Sequence, residues 1–274
     1  MSNQARKITR VRTTPPPRLP NRLGMETALS IASPILVLVV WEGLVRLGYL
    51  EALFFPPPTK IIQAMFKVIA SGELIGQTAI TLRRMALAFI LGTTPGLLLG
   101  LLMGWSRKVR AFFDPLVSAT LPIPKFALLP LVMLVLGVGE SSKLVTISMG
   151  IFFIILVNAL AGVQGIDPIY FEAARNYGAN RRQIFTKVIL PGSMPMIFAG
   201  IRLALGTTLL VTIATEFIAA KDGLGAMTWL AWQTLRTEIL YVGIITSAIL
   251  GVFTTAMLEW LRKWLIPWER EENA

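Results

Sequence analysis

The sequence predicts an all-α integral membrane protein with about six transmembrane helices. The 274 residues are 54% hydrophobic and only 15% charged, whereas soluble domains are about 45–50% apolar and about 25% charged. The apolar residues are also gathered into runs close to the ~20 residues that a helix needs to cross the hydrocarbon core. Because these runs do not alternate with polar residues as barrel strands do, helices are the elements expected to satisfy the backbone in lipid.

The chain divides into a basic start, one span with an external loop, a core and a second tail. Residues 1–24 hold six arginines and lysines, four prolines and no acid, which predicts a disordered basic tail. Residues 25–77 are expected to form the first transmembrane helix, at about 27–49, and an external loop. Residues 78–262 form the predicted core, and 263–274 form a cytoplasmic tail. The other spans are expected at about 80–104, 116–138, 143–163, 195–219 and 239–261, the third being broken by Pro122, Pro124 and Pro130.

The distribution of arginine and lysine predicts that both termini are cytoplasmic. With the N-terminus inside, sixteen of these residues flank the spans on the cytoplasmic side and seven on the outside. Cytoplasmic loops of membrane proteins carry such an excess of positive charge. The segment 165–191, between the fourth and fifth spans, is therefore expected inside. Arg83 and Arg84, at the outer end of the second span, fit this orientation less well.

Several classes of site are not expected in this chain. It has no cysteine and no histidine, which removes thiol nucleophiles, imidazole bases and the usual zinc ligands. The stretch "GVGESSK" (137–143) does not have the spacing of a phosphate-binding G-x-x-x-x-G-K-[ST] loop. We therefore expect no catalytic, metal or cofactor site, and no ATP site. The net charge of +11 favours contact with the lipid bilayer over nucleic acid, because the cations flank the apolar spans.

Four glycines recur at every fourth position of the second span and form the glycine row: Gly92, Gly96, Gly100 and Gly104. On a helix they share one face, which lets another backbone approach closely. Two interpretations remain open for this face. It packs within the chain, or it is the contact between two copies of the chain.

Three charged residues within the spans are candidates for a solute pathway or for a structural role. Glu216 is a buried acid near the outer end of the fifth span, and the other interpretation is a structural hydrogen bond or ion pair, for which Lys221 is a candidate partner. Lys125 follows two prolines in the broken third span and either binds an anion or anchors the chain at the interface. Arg202, in the fifth span about two turns in from its cytoplasmic end, either lines the pathway or snorkels inward.

The polar stretch "EAARNYGANRRQIFTKVILP" (172–191) interrupts an otherwise apolar sequence. Asp167 can cap a helix, and Pro168 suits its first turn. Gly178 supplies a helix stop, and a second helix is expected to begin near Asn180 and to end before Pro191. Two interpretations are open on these grounds. The first helix docks in a groove of another protein, or the segment is an amphipathic loop lying on the lipid headgroups.

This stretch resembles the EAA loop of ABC importer permeases, E-A-A-x-x-x-G-x(9)-I-x-L-P. The one departure is Val188, where isoleucine is usual. The resemblance implies that the first helix is a coupling helix, which docks in a cleft of a separate ATP-hydrolysing subunit, and the segment 165–191 is accordingly called the coupling loop. The residues that it assigns to ATPase coupling are Glu172, Ala173, Ala174, Tyr177, Gly178, Leu190 and Pro191.

The resemblance extends over about residues 55–265, through "FPPPTKIIQAM", "LPIPKFALLPLVMLVLGVGESSK" and "GIRLALGTTLLVTIATEFIAAKDGLG". These stretches are similar to the nitrate, sulfonate, taurine and bicarbonate branch of binding-protein-dependent permeases. The branch implies the transmembrane domain of a type I ABC importer in the bacterial inner membrane, working by alternating access. It implies a transport subunit rather than an enzyme, with ATP bound by partner subunits. The expected partners are two ATP-binding cassette subunits, a second permease copy in a homodimer, and an external solute-binding protein.

The expected solute is a small oxyanion: nitrate, bicarbonate, a sulfonate or taurine. Arg83, Arg84 and Lys125 support it because the sequence places few acids beside them, and unpaired cations in the apolar zone are costly unless water or an anion meets them. A neutral or cationic solute such as a thiamine-precursor pyrimidine is the alternative. A passive channel or ion-driven carrier, or a membrane enzyme, is a more distant one.

Overall fold

The computed structural model describes residues 23–265, and all regular elements in that range are helices. In chain order they are α1 (Leu23–Arg46), α2 (Pro58–Ala70), α3 (Glu73–Trp105), α4 (Arg107–Thr120), a 3-10 turn (Lys125–Leu128), α5 (Leu129–Leu136), α6 (Glu140–Gln164), α7 (Pro168–Asn176), α8 (Arg181–Ile184), a π-helical turn (Phe185–Ile189), α9 (Leu190–Ala219), α10 (Leu224–Gln233) and α11 (Thr237–Leu265). Both predicted tails lie largely outside the described residues.

The prediction of an all-α membrane protein is confirmed. Within the described residues, four helices are long and apolar enough to cross a membrane: α3, α6, the continuous helix Arg181–Ala219, and α11. A fifth span is formed if α4 and the Lys125–Leu136 helix, which are bent by 84°, are counted together. The bend lies at Pro122 and Pro124, as expected of residues that cannot continue a helical hydrogen-bond ladder. Since α1 lies on the first predicted span, about six spans are accounted for.

Two short helices, α2 and α10, are absent from the sequence prediction. α2 lies in the segment predicted as an external loop, and it buries Ile61 and Val68 against α11 and α10. α10 has ten residues, or about 15 Å of helix, so it is too short to cross a bilayer. It buries Leu224 and Met227 in the same apolar cluster.

The core of the described structure consists of α3, α6 and α9. α3 packs against α6 along the glycine row, and in this structure the row therefore faces the same chain. A Cβ atom added to the first three glycines would lie 2.5–2.6 Å from the carbonyl oxygens of Ser148, Phe152 and Leu156, and one added to Gly104 would lie 2.5 Å from the Cβ of Val163. These approaches are closer than real Cβ atoms make, so only glycine allows the two backbones to come this near.

Candidate functional site: the coupling loop and the charged residues of the spans

The start and the end of α7 are set by a capping side chain and by a glycine. The carboxylate of Asp167 accepts a hydrogen bond from the Ile169 N–H at 2.9 Å, and Pro168 occupies the first helical position. At the other end Gly178 has φ +72°, the left-handed conformation that ends many helices. The Gly178 N–H donates to the carbonyl of Arg175 at 2.9 Å, which closes the last turn.

The second helix of the loop starts at Asn180 as expected, but its predicted end before Pro191 is wrong. Asn180 and Gln183 form a reciprocal cap, with hydrogen bonds of 2.9 and 2.8 Å. The chain then passes through the π-helical turn, in which the Leu190 N–H donates to the Phe185 carbonyl, and continues as α9. Pro191 has no N–H with which to continue the hydrogen bonds of an α-helix. The π-helical turn shifts the backbone hydrogen-bond pattern at the residue before Pro191, and we attribute the continuity of the helix to this shift.

The two sides of α7 have different surroundings. Phe171 packs into the apolar cluster that includes Val163 of α6 and Ile189. On the other side Ile169, Tyr170 and Tyr177 are 61%, 62% and 92% exposed, and apolar side chains exposed together outside the spans are typical of an interaction site. This outward face of α7 has no partner among the described residues.

The residues assigned to coupling do not all lie on the outward face. Glu172, Ala173 and Gly178 are exposed beside it, and Ala174 is half-buried. Leu190 and Pro191 are half-buried at the start of α9. The residues assigned to coupling therefore form two groups. One lies on the exposed surface of α7 and at its C-terminal end, and the other lies at the start of α9, where the loop joins that helix.

Arg84, about a third of the way along α3, is the centre of a charge cluster. Its side chain is 1% exposed, and it donates to Glu216 at 2.8 Å, to Glu140 at 2.5 Å and to the carboxylate of Asp222. It also donates to the Asp222 backbone carbonyl at 2.7 Å. One guanidinium thus joins α3, α6, α9 and the turn before α10.

Glu216 has no exposure to solvent and is held by three groups. Besides Arg84, it accepts hydrogen bonds from the Thr81 hydroxyl at 3.0 Å and from the Gly225 N–H at 2.8 Å. The expected ion pair is therefore present but the expected partner, Lys221, is wrong. The sequence suggested the cation nearest in the chain, whereas folding places Arg84 beside this acid.

The cluster also removes one argument for an anionic solute. In the sequence, Arg83, Arg84 and Lys125 have few acids beside them. Arg84 instead faces three carboxylates, and Arg83 lies 3.9 Å from Glu140. Glu140 also accepts from Lys143 at 2.6 Å. These acids are far from Arg84 in sequence, but the six-span topology places all of them at the outer ends of spans, and this was the signal available to find them.

Lys125 has its donors engaged by the backbone. Its ammonium group donates to the carbonyls of Thr120, Leu121 and Ile123, the last two at 3.2 and 2.9 Å. It also lies 4.2 Å from the centre of the Phe153 ring. Since an ammonium group has three N–H donors, this geometry favours anchoring of the bent span over capture of an anion.

Lys125 borders a cavity of about 660 Å³ between the bent span, α6 and α9. Its polar lining comprises Lys125, Asn158, Thr207 and Thr208, and most other lining residues are apolar. Asn158 and both threonines donate to carbonyls of their own helices. The described residues around this cavity therefore present mainly apolar surface to a solute. Their polar side chains offer hydrogen-bond acceptors more than free hydrogen-bond donors.

Arg202 forms an ion pair across two helices. Its guanidinium lies 2.7 Å from the carboxylate of Glu259 on α11. Glu259 was not singled out from the sequence, because its partner comes from another span. With a side chain that is 56% exposed, Arg202 sits at the edge of the α9–α11 contact.

Two comparisons of the sequence with known proteins agree on one family. The sequence model described as "Binding-protein-dependent transport system inner membrane component" matches residues 96–267. A Bacillus subtilis (strain 168) permease protein, whose name assigns it to aliphatic sulfonate transport, is 34% identical over 235 residues, covering 86% of this chain and 85% of that protein. The taurine transport system permease protein of Escherichia coli (strain K12) is 34% identical over 254 residues, with coverage of 91% and 92%.

Solved structures show a similar fold at low sequence identity. A bacterial ABC transporter involved in the import of alginate aligns with a TM-score of 0.62 and 16% identity, covering 89% of this chain and 98% of that one. An amino acid ABC transporter crystallised with histidines aligns with a TM-score of 0.61 and 18% identity, covering 73% and 97%.

Proposed function

Because the chain belongs to the family of inner-membrane components of binding-protein-dependent transport systems, and is thus an ABC importer permease, we propose that it moves small sulfonates such as taurine by ATP-driven alternating access. ATP is hydrolysed by partner subunits. The complex contains two ATP-binding cassette subunits, two copies of this permease and an external solute-binding protein. It lies in the bacterial inner membrane with both termini of the permease in the cytoplasm.

The observation that carries the ATP-driven part of this proposal is the outward face of α7. It presents three large, exposed side chains, Ile169, Tyr170 and Tyr177, on a short helix fixed at both ends by a cap and by Gly178. An exposed apolar helix face of this kind suits insertion into a groove of another protein. The proposal assigns that groove to an ATP-binding cassette subunit.

The continuity of the loop with α9 supplies a mechanical route. The helix Arg181–Ala219 has 39 residues, or roughly 60 Å of length, and it reaches from the coupling loop to Glu216 in the charge cluster. A displacement of α7 is passed to the start of this helix through the packing of Phe171 against the apolar cluster that contains Ile189. We propose that tilting of this long helix opens the pathway alternately to the two sides of the membrane.

The choice of sulfonates rests on the two relatives whose names refer to sulfonate and taurine transport. The cavity beside Lys125 supports a pathway that holds the anionic group weakly, since its polar groups already donate within the protein. Selection of the anion is then the task of the external binding protein. The remaining oxyanions, nitrate and bicarbonate, are alternative solutes, which an uptake measurement distinguishes from sulfonates.

Uptake into vesicles by the reconstituted complex tests the proposal. We expect ATP-dependent uptake of taurine or an alkylsulfonate in the presence of the binding protein, and little uptake of nitrate, bicarbonate or a thiamine-precursor pyrimidine. Uptake of only the pyrimidine would contradict the sulfonate assignment and leave the permease role intact. Uptake that continues at the same rate without ATP would contradict ATP coupling and favour a channel or carrier.

A further inference from the structure

A second, larger cleft lies at the end of the spans next to the coupling loop. It has a volume of about 1010 Å³ and is bounded by the end of α3, the start of α4, the end of α6 and the residues of α7 and α8. Ligand sites commonly have volumes of about 300–1,000 Å³, so the cleft can hold a sizeable molecule. We call it the basic cleft because of the residues on one of its walls.

Four cations line the basic cleft, and no aspartate or glutamate among the described residues lines it: Arg107, Lys108, Arg175 and Arg181. All four side chains are exposed, and none makes an ion pair with an acid in residues 23–265. α4 begins at this wall, with Ser106 as its cap, and the N-terminus of a helix adds positive potential. The wall therefore attracts a group with negative charge.

The rest of the lining is apolar and aromatic. Leu102, Val163 and Ile166 contribute aliphatic surface. Trp105 is 43% exposed and its ring lies 5.1 Å from that of Phe185, at the start of the π-helical turn. A tryptophan at the end of an apolar span, beside arginines and lysines, is typical of a lipid–water interface. The cleft is thus basic on one side and apolar on the other.

We propose that the basic cleft binds an anionic phospholipid such as phosphatidylglycerol, with its phosphate on the cations and the start of its acyl chains on the apolar wall. A free phosphate or an acidic protein segment would pair with the cations but would leave the apolar wall without an apolar partner. Basic pockets between transmembrane helices on the cytoplasmic side bind such headgroups. The proposal rests on the proposed function only for the cytoplasmic position of the cleft.

A lipid in the basic cleft would join the spans to the coupling loop. Arg107 and Lys108 belong to α4, whereas Arg175 lies on α7 and Arg181 at the start of the helix that becomes α9. A phosphate between these two pairs would relieve repulsion between like charges and hold α7 near the membrane surface. The lipid would act as a bridge within the permease rather than as general solvent.

Native mass spectrometry of the purified permease complex, with phosphatidylglycerol or phosphatidylcholine added, tests this inference. We expect preferential retention of phosphatidylglycerol. The double variant Arg107→Gln, Lys108→Gln should weaken its retention by about fivefold for each cation, or roughly 25-fold, while thermal stability in detergent stays unchanged. A matched variant, Arg182→Gln with Lys187→Gln, removes two exposed cations of the coupling loop that do not line the cleft, and should retain the lipid.

Three results would overturn the proposal. One is equal retention of phosphatidylglycerol by the wild type and the Arg107/Lys108 variant. Another is an equal loss in the Arg182/Lys187 variant, which would show only general surface attraction. The third is that inorganic phosphate displaces bound phosphatidylglycerol from the permease as effectively as added phosphatidylglycerol does, since the apolar wall would then contribute nothing to binding. Because lipid retention is measured without solute or ATP, these results are independent of whether the transported solute is a sulfonate.

Discussion

Replacing Arg84 with methionine should destabilise the permease far more than the same change at its neighbour Arg83. Arg84 is 1% exposed and faces Glu216, which has no exposure to solvent. In Arg84→Met, that carboxylate keeps only the Thr81 hydroxyl and the Gly225 N–H as partners. Leaving one member of a buried ion pair without its partner costs about 3–5 kcal/mol.

Arg83 provides the matched control. Its side chain is 64% exposed and its nearest acid, Glu140, is 3.9 Å away. Exposed pairs contribute about 0–1 kcal/mol. With a shift in Tm of about 2–4 °C per kcal/mol for chains of comparable size, Arg84→Met should lower the Tm by roughly 6–20 °C and Arg83→Met by at most about 4 °C.

Thermal unfolding of the purified permease in detergent measures both variants. A second change, Glu216→Gln in the Arg84→Met background, removes the uncompensated charge and should recover part of the loss. Equal shifts in Tm for Arg83→Met and Arg84→Met would show that the charge cluster does not stabilise the fold. Failure of Glu216→Gln to recover stability would refute the reasoning that the cost comes from a buried, unpaired carboxylate.

Three further predictions concern packing, coupling and orientation. Gly100→Leu should lower the Tm and the yield of assembled complex by forcing α3 away from α6, because even a Cβ added at Gly100 would lie 2.5 Å from the Leu156 carbonyl oxygen. Leu98→Ala, which trims an exposed side chain, should change neither, and equal tolerance of the two changes would contradict the close packing. Gly178→Val should reduce transport and solute-stimulated ATP hydrolysis, because a left-handed backbone conformation costs a residue with a side chain roughly 1–2 kcal/mol. Gly178→Asn should retain most of both activities, because asparagine tolerates φ > 0 and no atom lies within 4 Å of the added Cβ. An equal loss in Gly178→Asn would refute the conformational explanation. Because the chain has no cysteine, Glu51→Cys and Arg182→Cys each give the permease a single thiol. A membrane-impermeant thiol reagent applied to intact cells should label the permease in Glu51→Cys and not in Arg182→Cys. The reverse result would invert the orientation.

The long helices and the two ends of α7 could be predicted from the sequence because their causes are local. Runs of apolar residues define α3, α6, α9 and α11. Asp167 and Gly178 act on the backbone within a few residues of themselves, so their positions predict the start and the end of α7. The prolines that bend the third span are local signals of the same kind.

The remaining features depend on contacts between distant parts of the chain. Proximity in the chain favours Lys221, five positions away, as the partner of Glu216, but Arg84 approaches it from a helix 132 positions away. α2 and α10 were missed because short helices gain their stability from tertiary burial, which in α10 centres on Leu224 and Met227. The rule that proline ends a helix failed at Pro191 because a π-helical turn precedes it.

Cross-linking from Tyr177 tests the central claim, that α7 is the joint to a separate ATP-hydrolysing subunit. Tyr177 is 92% exposed on the outward face of α7, and Tyr49, after the end of α1, is a control that is 76% exposed. Each tyrosine is replaced in turn by cysteine, the single thiol of its chain, and coupled to a short photo-activatable reagent in the assembled complex. We predict a covalent product between Tyr177→Cys and the ATP-binding cassette subunit, with a yield that changes when ATP is added, and no such product from Tyr49→Cys. The absence of a product from Tyr177→Cys, or the same yield from both positions, would contradict the account.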